Sequence, residues 1–185
     1  RGVIIIGVTG SCGKTTTKEL IAAVLATQCP GRKTLGNQNT PPFLARTILR
    51  VKPWDKFCVL EISASQGFAL EIPLRFVRPQ IGVVTNIGTD HLSAFRTVEA
   101  IAREKGKLIS ALPPYGTAVL NLDDPNVSAM QARCAAPVMT YGLTSDAMVR
   151  AENIDACWPQ RLTFTVVYAG QSHAVHTQLC GSYWV

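Results

Sequence analysis

Residues 3–19 read VIIIGVTGSCGKTTTKE, an apolar, β-branched run that passes through a glycine-rich turn into lysine, threonines and a helical pattern. A strand, a tight loop and a helix N-terminus in that order frame a phosphate-binding loop. Glycines let backbone N–H groups turn toward phosphate oxygens, and the helix end favours negative charge. Thr9, Gly10, Ser11, Cys12, Gly13, Lys14, Thr15 and Thr16 are therefore the candidate cofactor-binding residues. Lys14 suits the β and γ phosphates of a nucleotide, and the Thr15 hydroxyl suits a magnesium ion. The strict GxxxxGK[ST] spacing would put glycine where Val8 stands, which argues against an ordinary GTPase or kinase loop. A glycine-rich turn without a ligand is the bland alternative.

Outward from that loop, β-rich runs alternate with helical patterns. Strands are expected over 3–8, 57–62, 81–85, 117–120 and 138–141, and helices over 16–26 and 98–112. The rhythm predicts parallel strands joined by crossover helices. Three further runs, 148–154, 161–168 and 172–179, follow one another with a turn at 169–171. The fold class expected is α/β: a P-loop NTPase-like, mostly parallel sheet flanked by helices, with a small antiparallel β appendage at the C-terminal end. Residues 1–185 then form one domain, a core to about 145 and an appendage from about 146 to 181. Residues 181–185 stop without a helix cap or polar tail, and truncation at both ends is expected.

A chain of 185 residues with 47% hydrophobic side chains can bury one good core. No apolar run approaches the roughly 20 residues that span a bilayer, so a soluble, cytoplasmic protein with no membrane partner is expected. The six cysteines form no CxxC pair and read as reduced thiols. A net charge of +6 suits nucleic acid, an acidic surface or a polyanionic small substrate. The basic residues are dispersed without interleaved aromatics, so nucleotide phosphates explain the charge better than a nucleic-acid partner.

Three residues beyond the loop stand out. Glu61 ends an apolar strand, where a carboxylate is costly unless it meets a cation; a bound metal ion or a surface base would each serve. His91 follows the 81–85 strand at the same sheet edge, although imidazole alone is a poor magnesium ligand. Lys105 shares the apolar face of its helix with Val98, Ile101, Ala102, Leu108, Ile109 and Leu112. Spacing by itself favours a side chain that snorkels past the stripe. A buried amine could instead react with carbon dioxide to give an anionic carbamate.

Five segments in order, the phosphate loop with TKE after it, LGNQN at 35–39, TNIGTDHL at 85–92, AREKG at 102–106 and NLDDP at 121–125, resemble the central domain of the Mur ligases, a family that includes folylpolyglutamate synthase. The resemblance covers essentially the whole chain. It implies an ATP-dependent peptide ligase of peptidoglycan precursor synthesis that works through an acyl phosphate, with the N- and C-terminal domains of the enzyme lying outside this chain. The TKE continuation is similar to the branch that joins a D-amino-acid dipeptide, D-alanyl-D-alanine, to a nucleotide-sugar peptide, UDP-N-acetylmuramoyl-tripeptide. By resemblance, the cofactors are ATP and two magnesium ions, with Thr15, Glu61, His91 and a carbamylated Lys105 as metal ligands. Lys14, Glu61, His91 and Lys105 would be catalytic, and Asn37 and Asn39 would bind substrate. A different ligase of the family, or a P-loop NTPase that hydrolyses nucleotide as a switch, are the other readings.

Overall fold

The computed structural model describes residues 2–63, 70–89 and 95–185, the Tyr183 side chain excepted. β1 (Ile4–Thr9) lies inside the sheet, parallel to β3 (Phe57–Glu61) on one side and β4 (Ile81–Val84) on the other. Branched side chains suit this doubly buried position. β2 (Gly31–Lys33) pairs outside β3, while β5 (Thr117–Asn121) and β6 (Val138–Gly142) extend the parallel ladder beyond β4.

Alternation along the strands decides what each face carries. From β1 and β3, Ile6, Val8, Phe57 and Val59 pack with Ala22 of α1 (Lys14–Ala26). Cys58, Leu60 and Ile62 turn to the other face. There they meet Leu44 of α2 (Pro41–Leu49), Val77 of α3 (Glu71–Val77) and Leu108 of α4 (Val98–Ser110). Ile101, Leu108 and Ile109 are almost wholly buried, each stabilising the docked helix by about 1.5–3 kcal/mol. Glu61 has the parity of Phe57 and Val59, so the strand aims its carboxylate at the N-terminal turn of α1.

The expected α/β architecture is present, with additions. β2 lies in a stretch assigned neither strand nor helix from the sequence, too short and too charged to declare itself. β7 (Val149–Asp155), β8 (Thr163–Tyr168) and β9 (Gln171–His176) form the antiparallel appendage. It continues the same sheet through a short parallel β6–β7 pairing. Tyr168 faces Gln171 across Ala169 and Gly170, which have φ of 50° and 76°, a two-residue turn with both central residues left-handed. Among the described residues no helix is long and apolar enough to cross a membrane.

The NLDDP segment braces the sheet edge where the loops gather. Asp124 caps α5 (Pro125–Ser128) by accepting from Asn126 N and Val127 N at 2.9 and 3.2 Å, and its other oxygen accepts from Ile87 N at 2.6 Å. Asp123 accepts from Leu143 N and Thr144 N, and Asn121 donates to Thr85 O. Replacing Asp124 with alanine removes the cap and the tie to the loop after β4, and is expected to cost about 1–2 kcal/mol in urea unfolding. Asp124→Asn should retain most of it.

Candidate active site

The chain leaves β1 toward β2 and β3 on one side but leaves β4 toward β5 on the other, so a crevice opens at the carboxyl ends of β1 and β4, where open α/β sheets bind ligands. The phosphate loop spans it. Gly10 and Gly13 have φ of 147° and 79°, and a Cβ on Gly10 would lie 1.9 Å from Thr85 Oγ1. Only glycine fits there. Gly10→Ala is expected to cost about 2–4 kcal/mol by strain and overpacking, measurable by denaturant titration.

The loop is stitched to the segment after β4. Ser11 N donates to Asn86 O at 2.9 Å, Cys12 N to Asn86 Oδ1 at 2.8 Å, Gly88 N to Ser11 Oγ at 2.7 Å and Thr85 Oγ1 to Cys12 O at 2.6 Å. Tyr141 stands behind it, its hydroxyl 3.4 Å from the Val84 and Thr85 carbonyls. Burial first, then Asp123 and Asp124, push this phenol up to about 12, so it is a neutral donor near neutral pH. α1 begins at Lys14 with no side-chain cap, which leaves its first-turn N–H groups available to an anion.

Lysines and one carboxylate complete the constellation. Lys14 Nζ donates to Gly10 O and Ser11 O at 2.8 and 2.9 Å, so its ammonium sits at the centre of the loop. Lys105 is 1% exposed and donates to Gly10 O at 3.0 Å. It does not snorkel: helical Cβ vectors tilt toward the N-terminus, and the N-terminal end of α4 lies at the loop side of the sheet. Glu61, also 1% exposed, accepts from Thr15 Oγ1 at 2.8 Å on Oε2 and from Asn39 Nδ2 at 2.9 Å on Oε1. Gly13, Lys14, Thr15, Thr16, Asn39, Glu61 and Ser63 line the polar cleft that results, of about 350 Å³. On the other side of α1 lies a largely apolar cavity of about 1030 Å³, with Leu20, Val24, Val83 and Val119 in its walls and Cys12, Asn86 and Asn121 at its polar end.

Other expected residues contribute differently. Thr9 is fully buried, and its Oγ1 is the one buried side-chain polar atom without a hydrogen-bond partner among the described residues; it underlies the loop. Ser11 Oγ serves the Gly88 N–H. Asn37 is exposed in its turn and does not line the cleft. His91 lies outside the described residues. Among those described, no three His, Cys, Asp or Glu side chains cluster in a way that could hold a metal.

Lys18 was not singled out from the sequence. It is 0% exposed, donates to Gly36 O, and lies 3.1 Å from Glu19 Oε1 and 3.7 Å from Glu61 Oε2. The signal was available: Lys18 lies on the stripe with Ile21, Ala22 and Leu25, as Lys105 lies on its own. The cation that meets Glu61 from within the protein is this buried base, not a surface one.

The family described as Mur ligase middle domain matches residues 8–185. A UDP-N-acetylmuramoyl-tripeptide--D-alanyl-D-alanine ligase of Mycobacterium bovis is 36% identical over 184 residues, covering 100% of this chain and 36% of that protein. The chain thus spans little more than a third of that relative. Crystalline MurF from Acinetobacter baumannii superposes with a TM-score of 0.88 at 27% identity, covering 98% of this chain and 40% of that one. MurF from Thermotoga maritima in complex with ADP gives 0.82 at 26% identity, covering 95% and 40%. With a phosphate loop, a buried strand-end carboxylate and a helix lysine meeting at one sheet edge, and with that match over nearly its whole length, the chain belongs to the Mur ligase middle-domain family.

Proposed function

We propose that this chain is the ATP-binding, carboxylate-activating domain of a longer ATP-dependent peptide ligase of peptidoglycan precursor synthesis, one that joins D-alanyl-D-alanine to UDP-N-acetylmuramoyl-tripeptide. The observation that carries the reading is the convergence of Thr15 from the phosphate loop and Asn39 from the LGNQN turn on the two oxygens of Glu61. A nucleotide-holding element and a second, separate element thereby share one buried anchor. Hydrolysis alone would need only the first, so the switch reading is less favoured.

In the proposed reaction a substrate carboxylate oxygen attacks the γ-phosphorus of ATP, the bond to the β-phosphate oxygen breaks and ADP leaves. The amine then attacks the acyl phosphate carbon, phosphate departs with the former carboxylate oxygen, and the amine loses its proton. Lys14 and the first-turn N–H groups of α1 hold the transferring phosphoryl group in line and neutralise its oxygens. The apolar cavity beside α1 offers the nucleoside a site of ordinary ligand size, with polar groups at its phosphate end.

Hard oxygen donors at the cleft floor, Thr15 Oγ1 and Glu61 Oε2, suit magnesium, which keeps most of its waters and takes its remaining ligands from phosphates. Two magnesium ions held by Thr15, Glu61, His91 and carbamylated Lys105 would supply electrostatic stabilisation of the transferring group. A carbamate on Lys105 would form by addition of the neutral amine to carbon dioxide with loss of a proton. Its N–H would keep the bond to Gly10 O, and its oxygens would supply negative charge for a metal ion beside the phosphate loop. The nucleotide-sugar and amine sites belong, in this reading, to flanking domains of the same polypeptide. A cytoplasmic setting, where ATP is abundant, accords with it; neither nucleic acid nor a membrane is a partner.

Phosphate release from Mg-ATP by the full-length polypeptide tests the reading. Release that requires both UDP-N-acetylmuramoyl-tripeptide and D-alanyl-D-alanine is expected. Release indifferent to both would favour the switch and remove the substrate assignment.

A further inference from the structure

Lys18 is used by no step above, yet a fully buried ammonium is costly and persists only with partners. Its partners are distributed in an informative way. One is the Gly36 carbonyl, inside the LGNQN turn; another is Glu61, the carboxylate that Asn39 of the same turn holds. The turn is closed by Gln38 N donating to Leu35 O at 3.0 Å, with Gly36 at a left-handed φ of 49°. Glu19, beside Lys18, pairs outward with Lys33 of β2, so a chain of charges runs from the β2 strand to the cleft floor. Thr15 and Lys18 are three residues apart on one face of α1, and both address Oε2 of Glu61.

We propose that Lys18 is a positioning residue for the carboxylate substrate: its ammonium pins the Leu35–Asn39 turn to α1 and Glu61, and thereby holds Asn39 at the mouth of the cleft. The phosphate loop itself does not rest on Lys18, being held by Asn86, Thr85 and Lys14; on the nucleotide side Lys18 borders only Glu61 Oε2, which it shares with Thr15. Lys18 therefore acts through the turn, and touches neither ATP nor the reacting atoms. The substrate assignment rests on the proposed ligase reading.

The test uses the full-length ligase with Lys18→Met, Asn39→Ala and the double variant. Kd for UDP-N-acetylmuramoyl-tripeptide is measured by calorimetry, and KM for that substrate and for ATP by coupled assay. Lys18→Met is expected to raise both constants for the carboxylate substrate about tenfold, the scale of one charge-assisted hydrogen bond, with KM for ATP rising by a distinctly smaller factor. Adding Asn39→Ala to it should bring little further loss, because the two act through one turn. Parallel rises for both substrates, unchanged constants, or multiplying effects in the double variant would overturn the proposal. Should Lys18→Met not fold, Lys18→Arg takes its place: it keeps the charge but presents a planar fork in place of a compact ammonium. The same split is expected, and a flat response overturns the idea. Wild-type ligation is the control: if it fails, the substrate reading fails with it, independently of Lys18.

Discussion

Replacing Lys14 with alanine is expected to lower ligation by about 10²–10³-fold, the loss usual for one preorganised group facing developing charge. Its ammonium donates to the carbonyls of Gly10 and Ser11, which puts it where the loop would surround phosphate oxygens. In Lys14→Ala the loop loses that charge while its ties to Asn86 and Thr85 remain. The fold should therefore survive with a loss of about 1 kcal/mol or less in stability. Steady-state kinetics and urea unfolding on the same preparation check both halves. Near wild-type turnover would show that Lys14 is only a loop staple.

Lys105→Ala should lower ligation by at least about 10²-fold, and a short carboxylic acid such as acetate should restore part of it. The lysine is buried and reaches Gly10 O, so truncating it is expected to leave a void beside the phosphate loop. A small carboxylate entering that void replaces the anionic oxygens of a carbamate; methylammonium replaces an ammonium. Recovery with acetate and none with methylammonium is the expected pattern, measured as the rate against added acid or amine. The reverse pattern would assign Lys105 a cationic role and remove the carbamate from the scheme.

How far such residues could be read in advance depended on whether their signal was local. The first strand, loop and helix are written in seventeen consecutive letters, and Glu61 announces itself as a carboxylate ending an apolar strand. β2 is three residues long with two of them basic, and α3 carries Pro73 inside it, so neither shows its period. α2 did carry a start signal, Pro41 and Pro42 at its first positions after the Thr40 cap. That β7 joins the parallel sheet by so short a pairing could not be foreseen, since alternation shows which face is buried and not which strand is the neighbour. Asn37 and Asn39 flank one residue, yet only Asn39 meets Glu61, a distinction set by the turn at Gly36. Lys18 had a local signal in its buried stripe, but its partners come from β3 and the 35–39 turn, which only the tertiary fold brings together.

On the proposed ligase reading, a carboxylate oxygen is phosphorylated in this cleft. The most direct test supplies the full-length ligase with UDP-N-acetylmuramoyl-tripeptide labelled with ¹⁸O in its terminal carboxylate, together with ATP and D-alanyl-D-alanine, and weighs the released phosphate by mass spectrometry. An acyl phosphate transfers one carboxylate oxygen to phosphate, so singly labelled phosphate in step with product is predicted. Unlabelled phosphate, its new oxygen coming from water, would mean hydrolysis without carboxylate activation and would overturn the ligase reading.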